Sequence, residues 1–334
     1  MEEREIRKEV TEVGRQLLKD GLVARTWGNV SARLDSQHFL ITPSGLDYMQ
    51  TKDEDLALYN PADKTWTGPH KPSSEKGIHA AAYDIFPEVN FVIHTHQSYA
   101  SAIGLAGFDS LDISDEESKL LGGIALAEYG LPGTSKLKNA VTSAFKTGAH
   151  TVFMKHHGLV VTGADRQEAY KRAMLLEDIC KRNCKAQGTE NVLDDNTANK
   201  KDVILDEVRA KYPLADWVET QATISWSANN DKLFAQLDDM AQMIGKEIIT
   251  VEPDPAEISV RFAQGYNALF VKGMGAIVYG MDEDDTEALG ILVDKAAVSA
   301  LQTKAYKVGG RLGWFDCKLM RFVYQQKYSK QKNG

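Results

Sequence analysis

Cysteine is scarce in this chain, three in 334 residues, which argues against a disulfide framework and fits a reducing cytoplasm. Cys180 and Cys184 are helix-spaced in LLEDICKRNCK, but nothing around them in the sequence completes a metal site. Long apolar runs are absent as well. None approaches the roughly eighteen residues that span a bilayer, and the opening MEEREIRKEV is charged from its second position, with no apolar signal region. Nor is there an excess of basic charge: 39 Lys and Arg stand against 47 Asp and Glu, a formal net charge of −8. That balance argues against general nucleic-acid binding, which shows a basic face, and leaves room for a local cationic pocket. The expectation is a cytoplasmic soluble protein with neither nucleic acid nor membrane as partner. Its 334 residues suit two domains or one large one, with a core that needs no staples.

Histidine is missing from the whole second half, since all eight lie at or before position 157. Three of them sit in short apolar stretches: His94 and His96 in FVIHTH, and His157 in VFMKHHG. Phe91-Val92-Ile93 reads as a β-strand, and side chains two apart on a strand share a face. Two imidazoles on one face can hold one metal ion, with His157 as a third ligand. Three protein ligands and an open position describe a catalytic zinc site. The plainer alternative is that these are hydrogen-bonded histidines at strand ends. Glu75 is the natural base candidate, early in a helix with His79 one turn on, because a carboxylate beside a divalent cation can abstract a proton the metal has acidified. Its plainer role is to favour the helix dipole.

A helical stripe of Ile6, Val10, Val13 and Leu17 opens the chain. A hairpin-like pattern follows through ARLD and FLIT, then a strand at DLALYN. Ser73-Ser74-Glu75 opens a helix, EKGIHAAAYDIF, with serine as N-cap and Glu75 in the first turn. Further helices are expected at SYASAIGLAG, at 135–147 and from about Arg166 to Lys185, with two short strands in VFMKHHGLVVTG. The polar stretch 188–201 reads as a linker or exposed loop. Beyond it the run Phe153–Asp165 is echoed by Phe270–Asp282, with Gly273-Met274 where His156-His157 stood. Two copies make no solenoid, but a match of this length points to an internal repeat.

Three turns rich in hydroxyls, amides and glycine form a second set: Thr26 with Gly28 and Asn29, Ser44 with Gly45, and Ser73 with Ser74. Such turns present N–H groups to anions and together suit a substrate phosphate, although each alone reads as an ordinary turn or cap.

TWGNVSARLD, FLITPSGLDY, KPSSEKGIHAAAY, VIHTHQ and KHHGLVVTG, in this order, resemble the signature segments of the class II aldolase/adducin family over about residues 1–190. The resemblance implies an α/β fold, an α/β/α sandwich around a largely antiparallel central sheet. It implies one zinc, or another divalent transition metal, per N-terminal domain on His94, His96 and His157, with Glu75 as acid/base. It implies phosphate contacts from Gly28 and Asn29, Ser44 and Gly45, and Ser73 and Ser74, a sugar phosphate as substrate, and a homo-oligomer. His157 is the family-matched ligand of its pair; His156 is expected on the other face of an extended strand. The domains read as 1–190 catalytic, 191–212 linker, and 213–334 a smaller, degenerate α/β half-copy that ends in a basic helix.

Two departures stand out. Aldolases of this family use a tyrosine from a neighbouring subunit to protonate the leaving aldehyde, whereas SLDISDEESKLLGG has none and Tyr129 lies further on. The C-terminal extension is the second, since the small sugar-phosphate aldolases lack it. The expected activity is a zinc-dependent aldehyde-lyase. A 4-epimerase, dehydratase or decarboxylase on the same metal site is the alternative, and a non-catalytic, adducin-like interaction protein is the alternative of another class.

Overall fold

The computed structural model describes residues 2–186 and 195–331. The chain divides into two compact units, one of Met1–Gly104 with Phe108–Asn183, the other of Leu105–Gly107 with Cys184–Gly334.

The first unit opens with α1 (Glu3–Lys19), which buries Ile6, Val10, Val13 and Leu17 as a single apolar stripe. Four short strands follow, β1 (Asn29–Arg33), β2 (Phe39–Ile41), β3 (Ala57–Asn60) and β4 (Thr65–Thr67). Next come α2 (Lys76–Ile85), β5 (Phe91–Thr95), α3 (Ser98–Ala106), α4 (Asp115–Leu120), β6 (Ile124–Ala127), α5 (Ser135–Phe145), β7 (Thr151–Met154), β8 (Gly158–Gly163) and α6 (Arg166–Asn183). The eight strands form one sheet in the order β4-β3-β2-β1-β5-β8-β7-β6. Only β6 and β7 run parallel; every other pair is antiparallel. This is the mixed α/β architecture with a largely antiparallel sheet that the motifs imply. The central strands β5, β7 and β8 are buried along their whole length, as apolar runs covered on both faces must be. Ile78, Ala82 and Tyr83 of α2 and Leu137, Val141 and Phe145 of α5 pack with Val92, Val152 and Val160 of the sheet.

The second unit comprises α7 (Asp195–Arg209), β9 (Ala215–Val218), α8 (Gln221–Asn229), β10 (Lys232–Phe234), α9 (Asp238–Met243), β11 (Glu247–Val251), α10 (Pro255–Ala263), β12 (Ala268–Val271), β13 (Gly275–Tyr279), α11 (Glu283–Tyr306) and α12 (Trp314–Gln331). Its sheet runs β10-β11-β12-β13-β9, and its core gathers Ile204, Val208, Phe262, Leu269 and Ile277. The stretch 191–212, read above as a linker, therefore holds a helix from Asp195; the part through residue 194 lies outside the described residues. Its first turns are polar, and the buried Ile204 and Val208 come only near its end, so periodicity shows late. Among the described residues no helix is long and apolar enough to cross a membrane.

Candidate metal centre

Strand alternation sets His94 on the same face of β5 as Val92, toward α2, with Val160 of β8 opposite it in register. His96 lies just past the strand end. The chain there is pinned by Gln97, which donates to the Ala173 carbonyl at 2.8 Å, and by the Tyr99 and Ala100 N–H groups, which donate to the Glu177 carboxylate at 2.9 and 2.8 Å. His157 closes the turn between β7 and β8, its N–H donating to the Met154 carbonyl at 3.0 Å. That turn corrects one expectation: His156 is not extended but left-handed, at φ 64°, and its ring stands edge-on to Tyr129 at 5.2 Å. The turn, rather than strand alternation, separates the two neighbours.

One ligand atom from each of His94, His96 and His157 lies within 4.8 Å of the others, and the ring centroids are 4.7 to 5.0 Å apart. The Nε2 atoms of His94 and His96 approach to 3.0 Å. Glu75 enters the same space, with Oε1 at 2.9 Å from His157 Nε2 and Oε2 at 3.1 Å from His94 Nε2. The Leu159 carbonyl, 2.7 Å from His94 Nδ1, can only accept, so it takes the ring proton and leaves the His94 Nε2 lone pair facing the carboxylate. Lone pairs and an anion converging in a buried space require a cation. His94, His157 and Glu75 are buried and His96 is partly buried, and three imidazole nitrogens at this spacing suit a tetrahedral zinc-like ion with Zn–N near 2.0–2.1 Å. The residues fit the group.

Burial would push the Glu75 carboxyl up, but positive charge held with His94 and His157, as a proton or a metal ion, outweighs it and holds the group well below the usual carboxylate range. Glu75 also corrects the helix reading. It is the N-cap residue of α2 rather than a first-turn residue, and its side chain makes no capping bond. The cap position points the carboxylate at the histidines, and Ser73 Oγ accepts the Glu75 N–H at 3.2 Å.

The hydroxyl- and glycine-rich turns are drawn together in part. Pro43 and Pro72 form a β-bridge, Ser44 N–H donates to Lys71 O at 2.9 Å, and Ser73 N–H to Thr42 O at 3.2 Å. This joins the Ser44-Gly45 turn to the Ser73-Ser74 turn at the start of α2. Ser73 is buried and Ser74 exposed. Lys71 and Lys76 add two cations there that the motifs did not flag, the Lys76 ammonium being depressed by its own partial burial and then by Lys71. Gly28 is placed differently, beside the metal centre: a side chain there would sit 2.5 Å from the His94 carbonyl, at φ +80°. Thr26 is half-buried beside it. Asn29 is buried, and its Nδ2 donates to Glu75 Oε2 at 3.0 Å. Sequence reasoning noted His79 one turn after Glu75 but gave it no role, and it missed Ser31 and Tyr83, which continue with His79 inward from Asn29.

A three-histidine cluster with a carboxylate, able to hold a metal ion and carried on a mostly antiparallel α/β sheet, is the arrangement that the family match below accounts for. The chain matches the Class II Aldolase and Adducin N-terminal domain over residues 8–184, more than half its length, and belongs to that family. It is 30% identical over 172 residues to 5-deoxy-D-ribulose 1-phosphate aldolase of Bacillus thuringiensis serovar kurstaki, covering 51% of this chain and 80% of that one. It is 29% identical over 211 residues to the L-ribulose-5-phosphate 4-epimerase UlaF of Salmonella paratyphi C, covering 58% and 92%. Among solved structures, an L-fuculose 1-phosphate aldolase superposes with a TM-score of 0.50 at 26% identity, over 58% of this chain and 93% of that one. The fold alone is shared with YgbL of Klebsiella pneumoniae, at TM-score 0.51 and 22% identity, over 60% and 99%.

Proposed function

We propose that the chain is a zinc-dependent lyase of the class II aldolase type, cleaving a small phosphorylated ketose to a ketone such as dihydroxyacetone phosphate and an aldehyde. The observation that carries this is the convergence of His94, His96, His157 and Glu75 in one buried space. The relatives named as sugar-phosphate aldolases support the substrate class. When bound, the metal supplies Lewis-acid charge that polarises the substrate carbonyl and stabilises the electron pair left on that side when the carbon–carbon bond breaks. The three histidines hold the ion and keep a position open to the substrate. Glu75 carries the proton to and from the carbon next to the carbonyl. The bridged turns at Ser44-Gly45 and Ser73-Ser74, with Lys71, Lys76 and the start of α2, receive the phosphate. A cytoplasmic homo-oligomer belongs to the same reading. The C-terminal unit is read as a partial copy that keeps strands and helices but no ligands.

A second reading, 4-epimerisation at the same centre, is favoured by two observations. The segment 110–123 has no tyrosine to protonate a leaving aldehyde, and the similarity to a 4-epimerase, 29% identity, is close to the 30% to an aldolase. Incubation of the metal-loaded protein with 5-deoxy-D-ribulose 1-phosphate, L-fuculose 1-phosphate and L-ribulose 5-phosphate separates the two. Aldehyde release supports the lyase, and an epimer without aldehyde supports the second reading. Glu75→Gln is expected to lose about a hundredfold or more in turnover while keeping its circular-dichroism spectrum. Wild-type turnover by that variant removes Glu75 from the proton step.

A further inference from the structure

Behind Glu75 a chain of polar side chains runs into the core. Tyr83 Oη lies 2.7 Å from Ser31 Oγ, and Ser31 Oγ 2.6 Å from His79 Nδ1. His79 Nε2 lies 2.5 Å from Asn29 Oδ1, and Asn29 Nδ2 3.0 Å from Glu75 Oε2. Ser31 and His79 are completely buried, and Asn29 is 3% exposed. Four residues, two of β1 and two of α2, whose bonded partners lie 48 to 52 positions apart are thus aligned in space, on strand and helix rather than loop.

Chemistry fixes the direction of this chain. An ionised Glu75 can only accept, so Asn29 must turn its NH2 toward the carboxylate and its Oδ1 toward His79. An amide oxygen only accepts, so His79 must carry its proton on Nε2. Its Nδ1 is then bare and takes the Ser31 hydroxyl proton, and Ser31 Oγ accepts from Tyr83. Every proton points toward Glu75. Burial keeps His79 neutral, pushing it down to about 3, so the ring has one proton to place.

We infer that Ser31, His79 and Asn29 form a one-way hydrogen-bond relay that positions Glu75, tethering Oε2 so that Oε1 is the oxygen that exchanges a proton with substrate. The relay rests on the reading of Glu75 as the proton carrier. It also gives the Asn29 side chain a task other than the phosphate contact implied by the family motif: both of its ends are engaged, with Glu75 and with His79. His79 and Asn29 are positioning residues that act through Glu75. If His79 is lost, the Asn29 amide can flip and set its oxygen against the carboxylate, which turns a tether into a repulsion.

Two measurements on the full-length, metal-loaded protein test this. Long-range proton–nitrogen correlation spectra of the imidazoles report the tautomer of His79 without any substrate, and the Nε2–H form is expected. An Nδ1–H form overturns the relay whether or not the protein is an aldolase. The second measurement follows exchange of the dihydroxyacetone phosphate hydroxymethyl proton with D2O, which reads the Glu75 proton step directly. His79→Leu is expected to lose roughly 10- to 100-fold in exchange rate, the scale of a small misplacement of a reacting group, with half-saturation and metal content unchanged. His79→Gln, which restores a donor to Asn29, should recover most of the rate. Asn29→Ala should likewise lower the rate rather than weaken saturation, whereas a phosphate ligand would do the reverse. Equal losses in the Leu and Gln variants, or a change in saturation alone, overturn the relay. Wild type that exchanges nothing sinks the aldolase reading, and the tautomer then decides the relay by itself.

Discussion

The hairpin β7–β8 of the first unit and the hairpin β12–β13 of the second share a backbone and differ in chemistry. His156 and Gly273 occupy the same left-handed turn position, at φ 64° and 71°. The next N–H groups, of His157 and Met274, close the turn on the Met154 and Val271 carbonyls at 3.0 and 2.9 Å. In both sheets a strand pairs antiparallel with the second strand of the hairpin, and a strand pairs parallel with the first. His94 faces Val160, two residues into β8, and Trp217 faces Ile277, two residues into β13. Trp217 thus stands in the register of His94, Glu219 in that of His96, and Met274 in that of His157. Met274 is buried among Leu269, Val271 and Ile277. The Glu219 carboxylate meets the Lys201 ammonium at 2.9 Å, and that ammonium lies 5.3 Å over the Trp217 ring. One frame holds three imidazoles in the first unit and an indole, a carboxylate and a thioether in the second. The strands set positions, and a few side chains decide what they do. A further difference is that β5 lies between β1 and β8, whereas β9 is the last strand of its sheet. With no counterpart of β1 in that sheet among the described residues, the second unit shows no counterpart of Asn29 there.

The contrast predicts where metal goes. His94→Ala/His96→Ala is expected to abolish metal binding, taking inductively measured zinc from about one per chain to near zero, because one remaining imidazole cannot hold the ion. Glu219→Ala/Met274→Ala should leave metal content untouched. Full occupancy in the first double variant, or loss in the second, would reverse the assignment of roles to the two units. The second unit has its own high-stakes site, the ion pair of Lys295 with Asp239 at 2.6 Å, whose side chains are 2% and 1% exposed. Lys295→Met removes the cation from a buried carboxylate, for which a loss of about 3–5 kcal/mol is expected, read by urea denaturation, at unchanged metal content. A loss below ~1 kcal/mol would show that water reaches the pair.

His79 gives the first unit a pH signature with no counterpart in the second, where no histidine exists. Burial first, and His94 next, push His79 down to about 3, below its unfolded value near 6.5. Between those values the unfolded chain binds the extra proton. Stability therefore rises with pH there and falls as the solution is acidified, by up to about 1.4 kcal/mol per pH unit from this group. Denaturation midpoints from pH 7 to pH 4 should show that slope in wild type and a shallower one in His79→Gln. Parallel slopes would mean that His79 takes up its proton in the folded state.

How far this was visible in the sequence depends on how local each feature is. His94 and His96 were legible because the apolar run before them reads as a strand from sequence alone, although His96 falls just past its end, and His157 follows from an apolar run that ends in a turn. Glu75 was legible as a residue but not as a cap, since one position of helix start decides which way its carboxylate points. The Tyr83–Ser31–His79–Asn29 chain was not legible, because β1 must lie against α2 before those side chains meet. The helix α7 was hidden for another reason. Its N-terminal turns are polar, and its apolar positions Ile204 and Val208 are buried by contacts with distant residues that no local window contains.

The smallest expected effect probes whether the second unit retains a latent site. Lys201 is nearly buried, but Glu219 is 45% exposed, so solvent screens the pair and its loss should cost less than about 1 kcal/mol. Lys201→Met therefore leaves the fold intact and frees the Glu219 carboxylate, whose fellows in the register of the histidines are Trp217 and Met274. An indole offers no lone pair to a metal, and a thioether is a poor partner for zinc, so a single carboxylate should bind none. The expected outcome is unchanged stability, within that margin, and zinc still at about one per chain. A second equivalent of zinc in Lys201→Met, absent from wild type, would show that the lysine had been filling a functional cation site. The difference between the two units would then be one of occupancy rather than of ligands.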